Sequence, residues 1–230
     1  MTRRIAAIAT TFAITMIAAP AQSQVQVVGF GGAEWDHADM AVYVAGIGIH
    51  PDRLGWAPAG SVTGYHISAP RDNATDTMWG FNPAVGLRHQ WAPGAVQFNV
   101  GYLWLDVQDD DPAPAGPTVV GTETGMTISG QADYWGQGVR QGHALLFHNL
   151  GAGYTYGRLK GTQALFAAGP GQISIGGELV GQGGADYDAW QAAPLLQYGT
   201  DTFNVAGGVG YKNDTHGDGL YGRVEFAIFP

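Results

Sequence analysis

The sequence predicts an all-β chain, an antiparallel up-and-down transmembrane β-barrel of about twelve strands behind an N-terminal signal peptide. Three observations predict it. Beyond the leader, helical spacing of apolar residues is almost absent and period-two alternation is common. The polar faces of the alternating segments carry short side chains and glycine, with few Lys or Glu, which suits a narrow interior better than open water. The connectors also alternate in kind along the chain, one set acidic and the other tight and poor in charge.

Residues 1–21 are expected to form a cleaved signal peptide, with 22–230 as one barrel domain. Arg3 and Arg4 precede an apolar stretch from Ile5 to Ala19, and Ala19-Pro20-Ala21 resembles a small-x-small cleavage site. The apolar run is short for a membrane span and is broken by Thr10 and Thr11. Export without a single cysteine rules out disulfides as the stabilising device. Closure of a sheet, which removes its edges, is another such device.

Composition narrows the function classes. Glycine makes up 37 of 230 residues, about twice ordinary usage. Charged residues are 13% against hydrophobic 45%, so the chain is neither disordered nor an ordinary soluble surface. A net charge of −9 argues against nucleic acid as a partner, since phosphate contacts need clustered Lys and Arg.

Along the chain the alternation sets the faces. In "WGFNPAVGLRH", Trp79, Phe81, Val85 and Leu87 oppose Asn82, Gly86 and Arg88. In "AVQFNVGYLWLDV", Val96, Phe98, Val100, Tyr102 and Trp104 oppose Gln97, Asn99 and Gly101. "GMTISGQADYW" sets Met126, Ile128, Ala132 and Tyr134 against Thr127, Ser129, Gln131 and Asp133. The stretch 143–161 has mixed faces and is split near 151–154. "FNVAGGVGYK" sets Phe203, Val205, Val209 and Tyr211 against Asn204, Ala206, Gly208 and Lys212. Leu220 to Phe229 supplies the last strand. Strands of roughly nine to thirteen residues are expected. Pro83 and Pro194 fall inside strands, where the missing N–H is expected to break the ladder unless there is a bulge.

Aromatic residues at segment ends (Trp35, Trp79, Trp104, Tyr134, Trp135, Trp190, Tyr198, Tyr211) fit interfacial girdles. The acidic connectors lie at 36–39, 70–76, 108–117, 183–188 and 213–218. The tight ones lie at 92–94, 168–171 and 199–201. Longer loops on one side and short turns on the other match an outer-membrane barrel with both ends in the periplasm.

Candidate chemistry is sparse. Asp109, Asp110 and Asp111 lack the spacing of a calcium loop, and "NDTHGDG" at 213–219 reads better as a solvated turn than as a cation site. His66 and Ser68 stand at i and i+2 on one face, and a His beside a Ser can activate its hydroxyl. With Tyr65 and Ile67 taken as lipid-facing, His66 and Ser68 are expected inside the lumen. Arg88, Asp133, Arg158, Lys160, Glu178, Arg223 and Glu225 are candidate lumen charges, either a compensating structural network or a selectivity lining. Tyr187, Trp190, Asp214 and Asp218 are candidate outer-loop glycan contacts. No metal or cofactor is expected, and no catalytic motif points to an enzyme.

Gly177-Glu178, "YDAW" at 187–190, "GVGYKNDTHGDGLYG" at 208–222 and "GFGGAEWD" at 29–36 resemble the BcsS family, cellulose biosynthesis proteins of alphaproteobacteria. The resemblance implies an outer-membrane barrel assisting bacterial cellulose, or another exopolysaccharide, in biosynthesis and secretion. It implies outer-membrane lipid, the polysaccharide and the cellulose-secretion components as partners. It carries no catalytic residue. A small outer-membrane lipid A or glycan deacylase, or a passive narrow pore, are the alternative readings. The final Pro230 departs from the terminal aromatic usual in barrel assembly signals.

Overall fold

A computed structural model describes residues 25–70, 75–109, 121–136, 140–185, 187–215 and 217–229. The leader, most of the "PRDNATD" and "QDDDPAPAGP" connectors, and Pro230 lie outside them. Twelve antiparallel strands follow one another: β1 (Val25–Asp36), β2 (Ala41–Pro51), β3 (Gly55–Pro70), β4 (Thr75–Trp91), β5 (Gly94–Asp109), β6 (Gly121–Gly136), β7 (Arg140–Asn149), β8 (Tyr154–Ala168), β9 (Gly171–Gly183), β10 (Asp188–Gly199), β11 (Phe203–Asp214) and β12 (Gly217–Ile228). Each pairs with its sequence neighbours, and β1 pairs with β12 from Gly29↔Ile228 to Asp36↔Tyr221, which closes the barrel.

The barrel is inverted relative to a soluble protein. Val85 is 72% exposed and Leu220 67%, whereas Lys212 is 0% exposed. Outward positions carry Val, Leu, Ile and Phe, and the buried set includes Gln97, Asn99, Gln191 and Gln197. A membrane explains this ordering, because lipid is the solvent for the outer face and the closed ladders pair nearly all of the backbone around the ring. All four face assignments made from alternation hold in the strands β4, β5, β6 and β11.

Two aromatic belts bound the apolar band. Near the acidic connectors, Trp35, Tyr43, Trp79, Trp190 and Tyr211 face outward. At the end that holds the chain termini, Trp56, Trp91, Tyr134 and Phe203 do so. Indole and phenol rings favour the headgroup level because one edge is polar and the body is not.

Strand length differs from expectation, whereas the connectors and the proline positions largely follow it. The strands run from 10 to 17 residues, the longest being β4, because tilted strands need extra length to cross. The ambiguous 143–161 stretch divides at 150–153, and that connector carries no acid. Loop length separates the two ends modestly: the acidic-end connectors hold four residues or more except at 215–216, the terminus-end ones two or three, and charge adds to the distinction. Pro83 and Pro194 each break one ladder, as expected in the absence of a bulge. The β4–β5 ladder skips Asn82 and Pro83 and resumes at Ala84↔Gly101, and the β10–β11 ladder resumes at Leu196↔Gly207, both in unchanged register. The missing N–H costs pairing on one side only. A register irregularity does occur, in β8 at Ala164/Phe166.

Candidate functional site

The polar faces meet in the lumen. Arg158 on β8 donates Nε and Nη2 to Glu178 Oε2 on β9, at 2.8 and 2.6 Å. Its Nη2 also lies 2.7 Å from Glu225 Oε2 on β12, where Lys160 pairs with the second carboxylate oxygen. Arg223 Nη1 sits 3.5 Å from Glu178 and 3.6 Å from Glu34 of β1. Gln191 Nε2 donates to Glu34 at 2.6 Å, and the Tyr221 hydroxyl donates to Glu178 at 3.1 Å. Most of these contacts join strands that are not neighbours, so they cross the interior rather than run along the wall.

Alternation explains why these side chains converge. Arg158 and Lys160 occupy one face of β8, Arg223 and Glu225 one face of β12, and closure turns both faces inward. Arg158 and Glu178 expose 9% and 0% of their side chains. A buried charge at such a position is tolerable only when paired and hydrogen-bonded.

A second cluster lies towards the terminus end. Asp133 accepts from His143 Nδ1 at 2.9 Å and Gln131 Nε2 at 2.9 Å, with Arg88 Nη1 at 3.4 Å. Gln97, Asn99 and Ser129 continue it as a chain of hydrogen bonds. A third cluster sits below the acidic mouth, where Lys212 pairs with Asp36 and with Asp214 at 3.1 Å, and the Tyr187 ring lies 5.8 Å from its ammonium. Burial pushes the Tyr187 phenol above its ordinary range, with Asp214 and Asp36 adding to the shift and Lys212 opposing it.

The seven lumen charges read from the sequence therefore all lie on inward faces, in two clusters. Sequence reasoning missed Glu34, Asp36 and Lys212 as members of the lumen networks. Their signal was available: Glu34 alternates with Trp35, and Lys212 shares a face with Asn204 and Ala206.

Two site expectations are corrected. His66 does not face the lumen. It stacks on Trp79 at 3.9 Å and Tyr43 at 5.8 Å, both outward, and its Nδ1 meets the Met78 carbonyl at 3.4 Å. Val62, 53% exposed, sets the phase of β3, and Ser68 shares it, while Tyr65 points inward. In "GYHIS" both phases contain an aromatic ring and an aliphatic or short residue, so alternation alone chose wrongly. The pair therefore faces the lipid side of the wall, with the His66 ring stacked between its neighbours and its Nδ1 directed at the Met78 carbonyl.

The four proposed glycan contacts do not form one surface. Tyr187 packs towards buried Lys212, whereas Trp190 faces outward beside Tyr211 at 5.5 Å. Asp214 is turned inward to Lys212. Asp218 is at the surface and accepts from the Tyr211 hydroxyl at 2.8 Å. Among the described residues no group of three or more His, Asp or Glu is placed to hold a metal ion.

The strand path and these girdles can be compared with solved barrels. The β domain of the Bordetella autotransporter BrkA matches with a TM-score of 0.54 at 10% identity, covering 90% of this chain and 99% of that one. The translocator domain of the autotransporter NalP from Neisseria meningitidis matches at 0.51 and 10% identity, covering 91% and 89%. The fold is that of a bacterial outer-membrane barrel. No family model and no curated protein matches the sequence. Identity near a tenth limits the likeness to fold, so the outer-membrane barrel's function rests on its own residues.

Proposed function

We propose that this outer-membrane barrel is an accessory component of exopolysaccharide secretion, cellulose being the polymer that its resemblance to the BcsS family implies. On this reading it presents a surface to the secretion components and does not carry the polymer. The observation that supports it is the lumen network: Arg158, Lys160, Glu178, Arg223 and Glu225 meet across the interior, where a sugar chain would have to pass. A neutral polymer could not replace these pairings, and opening them would expose buried charge.

Deleting the gene tests the reading. Cellulose deposition is expected to fall, and re-expression of the intact barrel is expected to restore it. Unchanged deposition in the deletion strain would overturn it. Planar-bilayer recordings separate it from the pore alternative: the accessory reading expects a conductance far below that of an open porin.

A further inference from the structure

The outer wall carries a feature that the lumen network does not use. Across β6 to β10, Tyr134, Gly142, Gly161, Gly177 and Pro194 lie opposite one another in successive pairs. All are on the outward face, and the three central positions have no side chain. The adjoining row, Ala132, Ala144, Leu159, Leu179 and Ala192, raises a wall in which Leu159 and Leu179 stand 59% and 58% exposed. Between them is a hollow of about 870 Å³, with Trp91 and Tyr134 lining its terminus-side end.

A charge stands one outward cross-strand pair beyond this hollow, outside its own lining. On the other side of the glycine row, Arg140 pairs across the strands with Gln163, and both are exposed. Arg140 is the first residue of β7, so it stands at the level of the terminus-side aromatic belt. Barrel strands are tilted, so a cross-strand row slants through the membrane. Here it runs from Tyr134, near the end of β6, to Pro194, near the middle of β10. Five strands at about 4.8 Å spacing make it about 19 Å long. That is comparable to the roughly 15 Å hydrocarbon depth of one leaflet.

We propose that this hollow binds an acyl chain of one anionic phospholipid from the terminus-side leaflet, with the lipid phosphate held by Arg140 and the Gln163 amide. Flat stretches of barrel wall contact bulk lipid without preference. A concave apolar groove with a cation at its headgroup end matches the two parts of a phospholipid together. The proposal does not depend on the polysaccharide reading.

Native mass spectrometry of the full mature barrel, folded in detergent and mixed with phosphatidylglycerol, tests it. One tightly retained phosphatidylglycerol per barrel is expected, with phosphatidylethanolamine held less well. Arg140→Gln, at an exposed rim position, is expected to lower retention of phosphatidylglycerol about fivefold. Gly161→Leu fills the hollow and is expected to abolish it, with heat-modifiable gel migration confirming that the barrel has folded. Three results would overturn the proposal: wild-type retention by Arg140→Gln, equal retention of the two lipids, or barrel dimers or lipopolysaccharide adducts in place of the phospholipid.

Discussion

Gly86 and Gly176 show how closely neighbouring strands approach inside this barrel. A Cβ at Gly86 would lie 1.8 Å from the Phe98 carbonyl oxygen, and one at Gly176 would lie 1.9 Å from that of Gly161. Both are backbone atoms, so a side chain must move a strand and not merely a rotamer. Gly86→Ala is expected to destabilise the folded barrel by about 1–3 kcal/mol. A Cβ at Gly48 would meet nothing within 4 Å, and Gly48→Ala is expected to be close to neutral. Urea titration of barrels refolded in vesicles measures both. Glu178 matters for another reason. It receives Arg158, Arg223 and Tyr221, and Glu178→Ala leaves Arg158 with Glu225 and Arg223 with Glu34 as the remaining carboxylate of each buried cation. The expected loss is about 3–5 kcal/mol, and the double change Arg158→Met with Glu178→Leu is expected to recover most of it. On the outer face, Ser68→Ala is expected to leave lipid A acylation unchanged by mass spectrometry, since the accessory reading gives the barrel no acyl-transfer role.

At the level of elements, two proline gaps divide otherwise continuous ladders. Pro194 pairs with Gly177 on its β9 side, but between Ala192 and Leu196 the β11 side carries no pairing. Those amides of Gly208, Val209 and Gly210 that point towards β10 are therefore expected to exchange faster than the paired amides on either side of the gap. Pro194→Ala supplies the missing donor and is expected to slow their exchange. Hydrogen-exchange mass spectrometry reads the difference. Element phase also explains what sequence reasoning could resolve. Where large apolar residues alternate with Asn, Gln or Gly, as in β5, only one assignment of faces is consistent. In β3, Tyr65 and His66 are adjacent and both amphipathic, and the phase was fixed only by the neighbours Tyr43 and Trp79.

Over the whole molecule, closure gives an even strand count, so both termini lie at one end. The chain contains no cysteine, which makes single-cysteine labelling direct. With the termini in the periplasm, Ala38→Cys is expected to react with a membrane-impermeant maleimide in intact cells. Asp201→Cys is expected to react only after permeabilisation; the reverse pattern would invert the orientation. The lumen network belongs to this scale as well. Replacing Arg158, Glu178 and Arg223 together by alanine is expected to raise bilayer conductance above that of the wild type, because the side chains that cross the interior are then gone.

The sequence by itself determined the inverted barrel, a strand number of about twelve and the inward faces of β4, β5, β6 and β11. Those depend on period two and on residue type, which are local properties of the chain. It also determined seven of the charges that point inward, though not Glu34, Asp36 or Lys212. Tertiary structure alone decided which of them meet. Arg158 and Glu225 are far apart in sequence and come together only because the sheet closes and sets the register across β8 to β12. The glycine hollow has the same origin. Gly142, Gly161 and Gly177 carry no signal one at a time, and only cross-strand register aligns them beside Arg140.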